Sequence, residues 1–587
     1  MKAKKHAGFS SETLTQRPWL WCEVERRALA QEQQNDSLTM SLLPDGSSFA
    51  RSWLRLYEMA LSVMVKLRDL GVKAYDYVGI DARMRCETVA AILAVQALGA
   101  VCVLFPESLP KSRKLKEISE LKLDLMMVEG LEKLSFYFEA LGDAALPMTF
   151  LVMDPHFDEE LSLKPLPAWA SLQKIHCYEE IYHLREQFRK SFVARVCDDY
   201  PLAYVYSHGS TVHERRILLT HGMLRIQAEE LSSGIALEEN DKLLNDANEA
   251  NAVALAVFAA CVHASAQCIW FERNENILDT VAELQADVLF LIPARILALK
   301  KALLEGNGAL QEQWLRFCAK AAKFSKRNTH SWLNWSKPII SNLFVQRFRN
   351  ALGNKLKKLV SYGHFFESRA AEFFSFLEIK TYNAYSFSDV GGFAHVHEFQ
   401  GDGSYFRSLD AKVNDGILAL RYKKIAGNWQ STNDHVFEDE RCGLCVRRHF
   451  NVKLISGEQI DVTALEDALR REVAIEEIFI FGEQKSFLSA LIYLREEFLQ
   501  QWAKHQGIVD YNFQELSLNP SVYEHINEIV ERHNYSRASF EAIQKIALLP
   551  TPLKSDPRIL TSTKLTRRYE VETRYQAILR SFYEDAF

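Results

Sequence analysis

The chain has no apolar run long enough to span a membrane. Its longest candidate, AVALAVFAACVHASA at 252–266, stops short of the roughly 18 residues a spanning helix needs and is interrupted by His263. The basic start, MKAKKH, leads into no apolar segment, so a secretory signal is not expected. Cysteine is sparse: ten residues are scattered without disulfide-like spacing, which fits a reducing, cytoplasmic setting. Cys442 and Cys445 form a C-x-x-C with no second pair, too few ligands for a four-coordinate zinc site, and read as small hydrophobes beside a turn. No repeat period or low-complexity tract stands out. An excess of positive charge is also missing: a net charge of −6 argues against a general nucleic-acid binder.

What is present is the composition of a globular chain, 48% hydrophobic and 25% charged. Its 587 residues exceed what one core organises, about 250–300, so more than one domain is expected. Two local basic runs, KSRKLK at 111–116 and NKLKK at 354–358, each read as a solvated helix face. The alternative for each is a patch making peripheral contact with anionic membrane lipid.

Residues 1–45 are polar and weakly periodic and read as an N-terminal extension. From Ser52 the pattern sharpens: Leu56, Ala60, Val63, Leu67 and Leu70 share one helical face, with Ser52 to cap it and Gly71 to end it. Strand-like runs follow at 77–81, 100–106, 123–128, 148–152, 267–272 and 286–293, mostly with helical stretches between them. That alternation predicts crossover connections and an α/β class of largely parallel, helix-covered sheets over 46–449. Beyond about 449 the segments shorten into a small α+β unit, 450–587, with strands at 475–482 and 487–494 and helices at 496–506 and 520–533.

One loop, YSHGSTVHERRILLTH at 206–221, lies between the strand-like LAYVY and a helix starting near His221. Small residues allow backbone N–H groups to turn inward, Ser207, Ser210 and Thr211 offer hydroxyls, and Arg215 or Arg216 offers a cation. It is not a Walker A loop, which requires G-x-x-x-x-G-K-[ST]. TYNAYSFSD (381–389), WQSTND (429–434), VRRHFNVKLISGEQI (446–460) and LTSTKLTRRYEVETRY (560–575) follow in order. Order and spacing together resemble the acyl-adenylate-forming superfamily, most closely its long-chain fatty acyl-CoA and acyl-carrier-protein synthetases. The likeness is strongest at 198–221, 339–392 and 429–466.

The resemblance implies a large ATP- and acyl-binding domain with a trimmed β subdomain, then a small mobile domain hinged near Phe450 and Asn451. It assigns the phosphate loop to Ser207, Gly209, Ser210 and Thr211, and adenine stacking to Tyr385. It further assigns an α-phosphate contact to Ser388, Mg²⁺ to Asp389 and the ribose to Asp434 with Arg448. Lys564 and Arg215 carry the catalytic charge. It implies ATP, Mg²⁺ and a thiol acceptor, coenzyme A or carrier-protein phosphopantetheine, with a fatty acid as substrate. The chain departs from the pattern where Val212, Arg215 and Arg216 replace glycine, lysine and glycine. A histidine expected near 243–251 is missing, and Lys564 falls one residue early. Two readings follow: a fatty-acid-activating ligase, or a catalytically impaired paralogue that binds a nucleotide or acyl chain.

Overall fold

The computed structural model describes residues 14–30, 37–42, 48–141, 148–153, 174–177, 193–207, 215–270, 277–305, 345–363, 368–399, 403–405, 407–414, 417–423, 429–439, 443–448, 451–456, 458–508, 512–535, 537–551, 559 and 566–584. Two compact units divide the chain. The larger falls within residues 1–446, and the main body of the smaller is Arg447–Phe587.

Two sheets organise the large unit. One holds β1 (Ser37–Leu42), β2 (Ser48–Ser52), β10 (Lys242–Asn245), β11 (Gln267–Trp270), β12 (Val288–Leu291), β13 (Lys358–Tyr362), β14 (Lys380–Phe387), β15 (Gly392–Glu398) and β16 (Gly403–Tyr405). The other holds β3 (Tyr77–Asp81), β4 (Val101–Leu104), β5 (Leu125–Val128), β6 (Thr149–Val152), β7 (Lys174–Cys177), β8 (Pro201–Tyr206) and β9 (Arg216–Thr220). The seven-stranded order is β7-β6-β5-β3-β4-β8-β9, parallel throughout except for the β8–β9 hairpin. In the nine-stranded sheet the strands from β14 through β13, β12, β10 and β11 to β1 are parallel, and β2, β15 and β16 add antiparallel edges. This is the expected α/β class. Runs such as VCVL and VLFL are apolar at every position because helices cover both faces.

Helices α1 (Trp19–Ala30), α2 (Trp53–Asp69), α3 (Cys86–Ala97), α4 (Lys111–Leu121), α5 (Leu131–Leu141), α6 (His221–Gly234) and α7 (Ala252–Ala264) supply much of that cover. Ser52 caps α2 by accepting from the Arg55 N–H at 3.2 Å, a contact worth about 1 kcal/mol. Leu56, Ala60, Val63 and Leu67 are fully buried, and Gly71 leaves the helix at φ +88°. The segment read as an extension behaves differently. α1 buries Leu20, Trp21, Val24 and Ala28 in the main core, and β1 enters the nine-stranded sheet beside β11. The helical period is masked because Arg27 shares the buried face. Its guanidinium donates to the Val262 and His263 carbonyls at the end of α7 and lies 4.8 Å over the Trp53 ring.

The two basic runs are not uniformly solvated helix faces: Lys111 and Lys116 are exposed on α4 as expected, but Lys114 is not, and the second run lies at the turn leading into β13 rather than on a helix. In α4, Lys114 is buried against Asp81 at 2.8 Å and Arg113 meets Glu117 at 2.6 Å. Lys357 and Lys358 reach buried Asp241, each at 3.3 Å, at the entry to β13. Burying a charge is costly unless it is paired, and the two buried lysines, Lys114 and Lys358, are paired. No helix among the described residues is long and apolar enough to cross a membrane.

A four-stranded sheet of β17 (Leu409–Asn414), β18 (Ile417–Tyr422), β19 (Gln430–Asp439) and β20 (Gly443–Arg448) stands where the trimmed β subdomain is expected. In the small unit, β21 (Asn451–Lys453) and β22 (Gln459–Asp461) pair, while β23 (Ile475–Phe481), β24 (Leu488–Leu494) and β25 (Ile543–Leu548) form a sheet. It closes over its own apolar core, which includes Leu465, Ile478, Ile492, Leu499 and Ile526.

Candidate active site

The phosphate-loop motif starts from the β8–β9 hairpin. Tyr206 pairs with Arg216 across it, and the base is closed by reciprocal bonds: the Ser207 N–H donates to the Arg215 carbonyl and the Arg215 N–H to Ser207 Oγ, both at 2.9 Å. After β9, Thr220 caps α6 by accepting from the Met223 N–H. His221 opens the helix fully buried, and burial pushes its imidazole down to about 3, so it stays neutral.

The two arginines that replace family residues diverge. Arg216 turns into the protein: its Nη1 donates to Glu117 Oε2 at 2.5 Å and its guanidinium lies 5.2 Å from the Tyr204 ring. Glu117 is fully buried and also bound by Arg113, so Arg216 belongs to a structural cluster. Arg215 faces the other way, with its side chain 59% exposed, and its Nη2 reaches Asp389 Oδ2 at 2.9 Å.

Asp389 arrives from the second motif. Tyr385 lies near the end of β14, partly buried against the main core, and Ser388–Val390 form one 3₁₀ turn. The chain reverses at Gly391, φ +78°, and Gly392, φ +148°. A Cβ at Gly392 would stand 2.9 Å from the Ala256 Cβ of α7, so the turn needs glycine both for conformation and for space. Gln227 of α6 holds this turn from below. Its Nε2 donates to the Val390 and Phe393 carbonyls at 2.9 and 2.7 Å, and its Oε1 accepts from the Phe393 N–H at 2.7 Å. Tyr422 adds a bond to the Val390 carbonyl at 2.6 Å. Burial raises the Asp389 carboxyl above its usual range, with Arg215 offsetting part of the rise.

Ser207, Arg215, Tyr385, Ser388 and Asp389 therefore sit on the hairpin and the β14 turn, the ends of the Arg215–Asp389 contact being 174 positions apart in sequence. Gly209, Ser210, Thr211 and Lys564 lie outside the described residues. Asp434 falls within β19 and Arg448 ends β20; only their backbone is described. The stretch at 243–251 that lacks the expected histidine is instead acidic and amide-rich. Asp246, Asn248, Glu249 and Asn251 are all buried there, with Asp246 accepting from the Tyr362 hydroxyl at 2.8 Å and Glu249 from Ser108 Oγ at 2.6 Å.

The carboxylate expected to hold Mg²⁺ already has its single negative charge balanced by Arg215 at Oδ2, an arrangement that does not favour an added cation. Among the described residues no group of three His, Cys, Asp or Glu side chains could hold an ion.

Sequence reading missed Gln227 and Tyr422, the supports of the Asp389 turn. The only signal was a polar residue on the apolar face of α6. It also missed the charged cluster at the carboxyl ends of β3 and β5. There Asp81 accepts from Lys114 Nζ at 2.8 Å and the Tyr137 hydroxyl at 2.6 Å, and Glu129 binds Arg83 and Lys133. Burial works against ionisation of Glu129, yet Lys133, Arg85 and Arg83 together bring its carboxyl down to about 2.

Residues 26–412 match the family described as AMP-binding enzyme, and 451–586 match the AMP-binding enzyme C-terminal domain. A long-chain-fatty-acid–CoA ligase, FadD15 of Mycobacterium bovis, is 22% identical over 416 residues, covering 65% of this chain and 69% of that protein. Long chain acyl-CoA synthetase 4 of Arabidopsis thaliana is 20% identical over 626 residues, covering 96% and 91%. Among solved structures, the A domain of a carboxylic acid reductase from Segniliparus rugosus, in complex with AMP, aligns with a TM-score of 0.69 at 14% identity, covering 98% of this chain and 96% of that one. An anthranilate CoA ligase, AuaEII, aligns with a TM-score of 0.66 at 14% identity, covering 97% and 100%. At such identity these structures speak to the fold.

Proposed function

The chain belongs to the AMP-binding enzyme family, and from that premise we propose that it activates a fatty acid with ATP. The carboxylate attacks the α-phosphorus, pyrophosphate leaves, and the acyl-adenylate is opened by the thiol of coenzyme A or of carrier-protein phosphopantetheine. The observation that carries this reading is the meeting of the loop base with the β14 turn, Arg215 on Asp389 at 2.9 Å. The fatty-acid class is suggested by the relatives' names, long-chain-fatty-acid–CoA ligase and long chain acyl-CoA synthetase; the aligned structures include an anthranilate ligase and a carboxylic acid reductase.

In this proposal the chain's own groups manage charge around the α-phosphate. Gly209, Ser210 and Thr211 present N–H and hydroxyl donors to the terminal phosphates, with Ser207 anchoring their base. Tyr385 stacks on adenine, Ser388 donates to the α-phosphate, and Asp434 with Arg448 binds the ribose hydroxyls. Lys564 carries positive charge to the attacking carboxylate, after a swing of the small domain about a hinge at 449–452.

A second reading, a nucleotide- or acyl-binding protein without turnover, is favoured by one observation: the stretch at 243–251, where a histidine is expected, instead buries Asp246, Asn248, Glu249 and Asn251. ATP–pyrophosphate exchange across fatty acids of increasing chain length separates the two. Exchange that depends on the fatty acid, and that Lys564→Ala reduces at least about tenfold, is the expected result. No exchange with any acid leaves the binding protein as the reading that stands.

A further inference from the structure

We propose that Arg215 is a built-in counter-cation at Asp389, so that this chain grips the phosphates of a nucleoside triphosphate through a guanidinium without needing a divalent ion to bridge them to the carboxylate. The inference rests on the nucleotide reading above and adds the charge arrangement of that site.

Both ends of the contact are held independently of it. Arg215 is fixed through its backbone by the reciprocal bonds to Ser207, directly before β9. Asp389 rides on a turn tied down by Gln227 and Tyr422. The carboxylate is nearly enclosed, 12% exposed, whereas the guanidinium is 59% exposed. An exposed arginine held at its root and bonded at one nitrogen keeps most of its five N–H donors turned outward. Phosphate oxygens match that planar fork. The carboxylate–guanidinium–phosphate chain then reproduces the connectivity of a carboxylate–metal–phosphate bridge with one positive charge in place of two. A divalent ion bound through Asp389 Oδ2 would have to displace Arg215 first.

Calorimetric titration of the full chain with ATP and with AMP, each in EDTA and in excess MgCl₂, tests this. For the unmutated protein the ATP dissociation constant is expected to agree within about threefold in the two buffers, a difference under 1 kcal/mol. Arg215→Ala is expected to weaken ATP binding in EDTA by at least about tenfold and to make it magnesium-dependent. Arg215→Lys, which keeps a cation, is expected to retain most metal-independent binding. The melting temperature of each variant reports whether it is folded, and the buffer comparison on the unmutated protein needs no variant. If ATP binds in MgCl₂ and is lost in EDTA while AMP binds in both, the inference is overturned and the nucleotide reading stands. If neither nucleotide binds in either buffer, the nucleotide reading falls and takes the inference with it.

Discussion

Arg216 and Arg215 are neighbours with opposite tasks. Arg216 neutralises Glu117, a carboxylate with no exposed surface, from one side while Arg113 binds it from the other. Removing one partner of a buried carboxylate leaves a charge that water cannot reach. Arg216→Ala is expected to destabilise the protein by about 1–3 kcal/mol, read as a lower urea midpoint, whereas Arg215→Ala, which removes a largely exposed cation from a carboxylate that is still 12% exposed, should lower that midpoint less. Glu129 supplies a pH test. Its folded carboxyl titrates at about 2 against an ordinary 4.5. A depressed folded value means the stabilisation is present above the unfolded value and is lost as pH falls from roughly 5 towards 2, on the order of 3 kcal/mol. Melting temperatures measured across that window should fall for the unmutated protein and fall less steeply for Glu129→Gln.

At the level of elements, the turn after β14 is positioned by a helix it never meets in sequence. Gln227 satisfies two carbonyls and one N–H of residues 390–393 from α6. Gln227→Leu fills the same volume and removes the side-chain partner of the Phe393 N–H and carbonyl, each costing about 1–3 kcal/mol when unpaired, while the Val390 carbonyl keeps the Tyr422 hydroxyl. The expected outcome is a marked loss of stability together with weaker nucleotide binding, because Asp389 and Ser388 lose their support. Nucleotide affinity falling in Gln227→Leu well beyond what the unfolded fraction explains would mark Gln227 as a positioning residue. Unchanged affinity in the folded fraction would reduce it to packing.

For the whole molecule, the small unit has its own sheet, β23–β24–β25, and its own apolar cluster. Arg568 ties its C-terminal helix back to buried Glu466 and to the Ile480 carbonyl. A segment with a closed core folds alone. Residues 447–587 expressed by themselves are expected to show a single cooperative thermal transition by circular dichroism; a broad, non-cooperative loss of signal would show that this core depends on the large unit.

Periodicity determined most of the architecture from the sequence by itself. The face Leu56–Ala60–Val63–Leu67, the runs at 77–81 and 475–482, and the helix at 520–533 depend on local chemistry, namely apolar spacing and caps, and they appear where that chemistry places them. The order of the motifs likewise marked the family. Tertiary structure alone decided the rest. α1 was unreadable because a buried arginine occupies its apolar face, and that arginine is tolerable only where the end of α7 offers carbonyls. Two adjacent arginines look alike in sequence, yet strand register sends one to buried Glu117 and leaves the other beside Asp389. Which cation meets which carboxylate is a property of long-range packing, since burial makes an unpaired charge costly only once the chain has closed around it.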